Sequence, residues 1–238
     1  AFLIGEKGHE ESIKFGLVGC IAHPEVDMTQ VNYSKQAWTA QPTQCISYVS
    51  CHDDMMLTDR LKANKKLKAG ELQRLSKLAQ TAVLTSQGMP FLWCGEEIAR
   101  DKKGVHNSYC SPDDINAIDW SLKAANLDLF AYYQGLIAMR KAHPAFHMGD
   151  AELVRANLHF LPAPAGVVAY QLNGEAVGDE WKSIVVILNG QPTAQTIMLP
   201  KGEYHVAVAD GKCPATTKGL LKGSAKVAAQ SATILYQL

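Results

Sequence analysis

The chain has 238 residues, 47% hydrophobic and 19% charged, enough to bury a core in one or two domains. Lys plus Arg equals Asp plus Glu at 23 each, and a formal net charge of zero argues against nucleic acid or an anionic membrane as the main partner. No apolar run approaches the roughly 20 residues of a transmembrane helix. The opening AFLIGEKGHEES lacks an initiator Met and the layout of a signal peptide, so it reads as an internal start. Any targeting signal then lies upstream of Ala1, and secreted, periplasmic and cytoplasmic locations all stay open.

CISYVSC (45–51) reads as a buried strand that stops at His52-Asp53-Asp54. GELQRLSKLAQTAVLTSQG (70–88) reads as a helix, with Leu72, Leu75, Leu78, Ala79, Ala82 and Val83 on one face and Gly88 and Pro90 ending it. PFLWCG (90–95) is a second short buried run. NLDLFAYYQGLIAMRKAH (126–143) is another helix, with Arg140 and Lys141 suited to its C-terminal end and Pro144 just beyond. Strand and helix alternate, which implies a parallel α/β layer. Two such strands alone make a slice of sheet with open edges, so either more chain completes it or the assignment is wrong.

The texture changes near residue 147. VVAYQL (167–172), SIVVILNG (183–190), TIMLP (196–200), EYHVAVAD (203–210) and SATILYQL (231–238) are short, β-rich and separated by Gly, Pro and Asn. They predict an antiparallel β-sandwich. KGLLKGSAK (218–226) reads as a solvated, mildly basic turn region. Tyr170, Trp181, Tyr204 and Tyr236 are scattered, with no evident exposed aromatic row. The six Cys form no C-x-x-C pair, so a structural zinc site is not indicated, and they read mostly as buried small hydrophobes.

Two stretches carry candidate chemistry. His52 and Asp53 leave a strand at its C-terminal end, where parallel barrels carry their catalytic face; the plainer reading is a capping His followed by a solvated Asp-Asp loop. Strand alternation would point Ser50 and His52 one way, Cys51 and Asp53 the other. The second stretch, WCGEEIARDKKGVHNSYCSPDDINAIDW (93–120), is a long polar loop bearing Glu96, Glu97, Arg100, Asp101, Asp113, Asp114, Asn116 and Asp119, with Tyr109 and Trp120. Carboxylates, amides and aromatic faces suit sugars, which take hydrogen bonds at their rims and apolar contact on their faces. Asp119 and Trp120 read as a helix start, whereas Asn107 and Tyr109 read as substrate contacts.

The motifs YVSCHDD, SQGMPFLWCGEE, ARDKKGVHNSYCSPDDINAIDW and MRKAHPAFHMGD, in that order, resemble the C-terminal part of the type I pullulanases. These are α-1,6-glucan debranching enzymes of the α-amylase clan, glycoside hydrolase family 13. Residues 30–150 carry the specific motifs; 151–238 match in kind only. The resemblance implies an α/β plus all-β fold. Residues 1–147 would be the C-terminal portion of a (β/α)8 TIM barrel, with strands 7 and 8 and their helices, and 148–238 a β-sandwich domain.

The same resemblance implies a retaining hydrolase acting on pullulan, starch or glycogen, with nucleophile and acid/base in the missing N-terminal part of the barrel. The isolated chain is then expected to be inactive. Asp53 matches the transition-state stabiliser and His52 the His beside it, while Asp54, Asn107 and Tyr109 would contact substrate. Asp54 departs from the family, which usually has Asn there; an ionised Asp only accepts hydrogen bonds. No organic cofactor is implied, and a structural calcium ion is left open.

Isoamylase, a glycogen-debranching enzyme and a non-catalytic glucan-binding module are the alternatives within carbohydrate chemistry. A His-Asp doublet also serves metal-dependent phosphohydrolases. There it sits on a helix near further His residues, and here it follows a β-run.

Overall fold

A computed structural model describes residues 1–64, 67–68 and 70–238. The first region holds α1 (Glu10–Leu17), β1 (Ile46–Ser47), α2 (Leu57–Asn64), α3 (Glu71–Thr85), β2 (Met89–Pro90), α4 (Asp113–Asn116), α5 (Ser121–Ala125) and α6 (Leu127–Ala142). There follow α7 (Ala151–Asn157), β3 (Leu158–Leu161), β4 (Val167–Asn173), β5 (Ser183–Asn189), β6 (Gln195–Val208), β7 (Leu221–Val227) and β8 (Ser231–Gln237).

Both long predicted helices form. On α3, Leu75, Leu78, Ala79 and Val83 are buried; on α6, Leu129, Tyr132, Tyr133, Leu136 and Met139. Their 3–4 spacing puts one apolar stripe against the core. Arg140 and Lys141 stand in the last turn of α6, as expected. Arg140 does more: its guanidinium is buried and donates to the carbonyls of Leu84, Ser86, Phe146 and Gly88 at 2.6–3.0 Å. It thereby satisfies carbonyls left over where α3 ends and the chain enters β2.

The two predicted strands of this region are corrected. Each shrinks to two residues, paired in parallel as Ile46↔Met89 and Ser47↔Pro90. The amides of Met89 and Phe91 donate to the carbonyls of Cys45 and Ser47 at 2.8 and 2.9 Å. The pair demands Gly88, because a Cβ there would stand 2.6 Å from the Ser47 hydroxyl and 2.9 Å from the Cys45 carbonyl. Nor is the pair buried: Ile46, Tyr48, Met89 and Phe91 are all exposed. Past Ser47 strand alternation stops, so Ser50 is buried while His52 and Asp53 are both exposed. The cysteine expectation holds for Cys20 and Cys45 alone; Cys51 and Cys213 are half-buried, and Cys94 and Cys110 are exposed.

The β-region is one antiparallel six-stranded sheet, ordered β3-β4-β5-β8-β6-β7, rather than two separate sheets. One long β6 replaces the two predicted runs. Its first part pairs with β7 and its last part with β8, with a register shift between Met198 and Glu203 at Pro200 and Gly202. A bulge there bends the strand, so the sheet curls. Val167, Ala169, Val185, Ile187 and Leu235 on its inner face meet Ile197, Leu199, Tyr204, Ala225 and Val227. The other face, with Val168, Tyr170, Ile184, Val186 and Ile234, shares one core with Phe15, Leu78, Leu136 and Phe146. From Leu221 on, KGLLKGSAK is strand rather than turn: it lies in β7, at the edge of the sheet.

The aromatic residues are less scattered than the sequence suggests. The rings of His143, Trp181, Tyr236 and His205 stack in a column with centroid steps of 3.6, 4.0 and 5.1 Å. His143 Nδ1 meets Asp179 Oδ1 at 2.7 Å. That column joins the end of α6 to β8 and β6.

Candidate functional site

The 48–56 and 91–120 loops leave the C-terminal ends of β1 and β2 side by side. The His52 and Asp53 side chains project freely, 83% and 78% exposed, with Nε2 and Oδ1 3.6 Å apart. Asp54 is different. It sits at φ +64°, a left-handed conformation that Asp and Asn tolerate better than most residues. Its Oδ1 accepts from the Met55 amide and meets His106 Nδ1 at 2.6 Å, and its Oδ2 takes the Arg60 guanidinium. Those donors hold its carboxyl below the usual carboxylate range, the Met55 amide first and Arg60 next. Asn107, also left-handed at φ +46°, accepts the Asp54 amide on Oδ1 at 2.9 Å. The structure therefore brings Asn107 to the His-Asp-Asp loop through Asp54. Tyr109 stands apart from these contacts, 90% exposed, its ring offered to solvent.

The long loop is tied down by Asn116 together with Asp59 and Lys102, two residues that the sequence did not single out. Buried Asp59, at the start of α2, accepts the amides of Lys102 and Gly104 at 2.7 and 2.8 Å. Lys102 reaches Ser108 Oγ and Asn116 Oδ1 at 2.5 and 3.1 Å and lies over the Trp93 ring. Asn116 Nδ2 donates to the carbonyls of Ser108 and Ser111 at 2.7 and 2.8 Å. Asp119 behaves as a helix start, accepting the Ser121 amide at 2.9 Å.

Glu96 is the buried acid beneath the site. Ser50 donates its hydroxyl to Oε1, and Gln80 donates to Oε2 at 3.0 Å. Ser50 Oγ also accepts the Leu57 amide at 3.1 Å, so Glu96 braces the loop carrying His52 and Asp53 from below. Burial pushes its carboxyl up to about 7, with Glu97 adding to the rise and the Ser50, Trp93 and Gln80 donors opposing it. Folding favours the neutral acid, so this group's contribution is full below its ordinary 4.5 and is lost as pH rises through about 7. Wild-type unfolding free energy is expected to fall across that window, relative to Glu96→Gln, by up to about 3 kcal/mol. Urea melts of the two proteins from pH 4.5 to 8 test this; parallel profiles would refute it. Nothing in the spacing of WCGEE marks the first Glu as the buried one.

Among the described residues, no three His, Cys, Asp or Glu side chains converge as a cation-binding group.

Residues 154–212 match the family model for the pullulanase all-beta domain. The pullulanase of Bacillus subtilis (strain 168) is 35% identical over 161 residues, covering 67% of this chain and 22% of that protein. The solved pullulanase from Bacillus acidopullulyticus superposes with a TM-score of 0.89 at 34% identity, over 100% of this chain and 28% of that one. The chain resembles the C-terminal part of a type I pullulanase. The type I pullulanase structure from Bacillus subtilis str. 168, solved with maltose, agrees at a TM-score of 0.89 and 28% identity, over 99% of this chain and 32% of that one. The chain thus spans between about a fifth and a third of the length of these pullulanases.

Proposed function

We propose that this chain forms part of a pullulanase-type glycoside hydrolase that cleaves α-1,6 links in pullulan, starch or glycogen with retention of configuration. Residues 1–147 are the last portion of its (β/α)8 barrel, and 148–238 are its terminal β-domain. Asp53 is the transition-state stabiliser, and His52 beside it donates to the same sugar. Their hydrogen bonds to ring hydroxyls tighten as the sugar flattens towards an oxocarbenium ion. Asn107 and Tyr109 supply a polar rim and an apolar face to the glucan. Asp54, with its oxygens engaged by His106, Arg60 and its own turn, acts on substrate mainly by fixing Asn107 and the loop. The nucleophile and acid/base come from barrel strands ahead of this chain.

One observation carries the reading. Among the described residues, the His52 and Asp53 side chains are paired with each other alone, and they stand at the C-terminal end of a parallel strand pair. That end is where barrel enzymes place their chemistry. The exposed apolar side chains of Ile46, Tyr48, Met89 and Phe91 support it, since further barrel strands would cover them. Titrating maltotriose into the isotope-labelled chain is expected to shift amide resonances at His52, Asp53, Asn107 and Tyr109. Shifts confined to residues 148–238 would instead favour a glucan-binding module.

A further inference from the structure

Cys20 and Cys45 lie 25 residues apart in sequence, yet their Sγ atoms are 3.0 Å from one another. Both are buried, at 4% and 8% exposure. Cys20 follows α1 in a left-handed turn, φ +59°, and its carbonyl accepts the amides of Trp38 and Thr39 at 3.1 and 3.3 Å. The Cys45 carbonyl accepts the Met89 amide that starts the β1–β2 pairing, at 2.8 Å. Backbone hydrogen bonds thus fix both residues, and the side chains point at each other. A disulfide needs the sulfurs at about 2.05 Å, so an approach of roughly 1 Å closes the bond. Both cysteines also line a cavity of about 320 Å³, with Trp38, Ile46 and Ser47 in its wall. In the 238-residue chain, where Ile46 is exposed, the cavity gives a small reagent a way to the pair.

The geometry points to Cys20 and Cys45 as an oxidisable pair that closes into an intramolecular disulfide, fastening the end of α1 to the base of β1. The oxidant is a small-molecule disulfide such as oxidised glutathione. The Cys45 thiolate attacks one glutathione sulfur, the glutathione S–S bond breaks, and the departing thiolate takes up a proton. Cys20 then gives up its proton and attacks the Cys45 sulfur, the mixed disulfide breaks, and a second glutathione leaves. Two protein thiols are oxidised, and one glutathione disulfide is reduced to two thiols. The order follows from acidity. The contact with Cys20 holds the Cys45 thiol below its usual range, while the contact with Cys45 and then burial push Cys20 up. The pairing is independent of the glucan reading and stands or falls without it.

The test incubates the folded 238-residue chain with oxidised glutathione, alkylates free thiols and maps the peptides by mass spectrometry. The expected product is one Cys20–Cys45 cross-linked peptide, about 2 Da lighter than its reduced parts and reversed by dithiothreitol. A variant with Cys51, Cys94, Cys110 and Cys213 all replaced by Ser, which removes competing thiols, is expected to form the same link and to melt at a higher temperature when oxidised than when reduced. Alkylation of both Cys20 and Cys45 after oxidation, or a glutathione adduct that stalls on Cys45 without cross-linking, would overturn the proposal. So would a link that forms only in denaturant.

Discussion

Replacing Arg140 with Met is expected to lower the unfolding free energy by about 4 kcal/mol, one of the largest losses available from a single side chain here. Arg140 is 8% exposed, and among the described residues its guanidinium donates to four carbonyls and to no carboxylate. Burial brings its pKa down to about 10, which still leaves it charged at neutral pH. Hydrogen bonds to a charged donor contribute about 1.5–3 kcal/mol each, but they share one group and do not add fully. Met fills similar volume and supplies no donor, so the carbonyls of Leu84, Ser86, Gly88 and Phe146 lose their partner together. Arg140→Lys keeps the charge but not the planar fork, and is expected to lose about half as much. In urea melts the midpoint should fall with the slope unchanged. A Met variant within about 1 kcal/mol of wild type would show that water or local repacking replaces the guanidinium. Gly88 is one of the four acceptors and precedes β2, so the damage should reach the base of the candidate site.

Asp53→Asn is expected to slow pullulan hydrolysis about a thousandfold in a protein that supplies the preceding barrel strands, the equivalent of about 4 kcal/mol of transition-state binding. The proposed role decides the size: an acceptor that would grip sugar hydroxyls as positive charge develops is replaced by an amide. The side chain is 78% exposed and among the described residues meets His52, at 3.6 Å, so the melting temperature should not move. Loss of rate without loss of fold separates a transition-state role from a structural one. Asp54→Asn is the matched control. Asn suits the left-handed backbone and keeps one acceptor for the Met55 amide, and the loss of the Arg60 and His106 ion pairs at a half-exposed site should cost less than about tenfold in rate. Equal losses from both variants would remove Asp53 from its special place.

Elements with a long amphipathic period were legible in the sequence. The stripes of α3 and α6 and the β-branched runs of β4, β5 and β8 fall where expected, because burial on a face leaves a periodic trace. The strands of the first region were overread. CISYVSC has strand composition, but its backbone pairs with only one neighbour over two residues, and composition does not reveal whether a partner strand is present. β7 was missed because it is an edge strand: Lys222 and Lys226 are exposed, Gly223 lies at φ +77°, and only Ala225 and Val227 are buried. Charges and glycines on an edge guard against aggregation and also disguise the strand. α7 was missed although its cap was readable: Asp150 accepts the amides of Glu152 and Leu153 at 2.9 and 3.0 Å.

At the site, His52 and Asp53 stood out as polar residues ending an apolar run. The meeting of Asp54 with Asn107 spans 53 positions and has no local signal. Buried Glu96 and Asp59 likewise owe their roles to tertiary burial, which a polar loop sequence conceals.

On the proposed reading, this chain holds the sugar in the transition state while other strands break the bond. Pullulan hydrolysis, followed by maltotriose release, tests it most directly when the 238-residue chain is assayed beside a longer protein in which barrel strands precede it. Maltotriose is expected from the longer protein and none from the chain alone. Steady release of maltotriose by the purified 238-residue chain would contradict it.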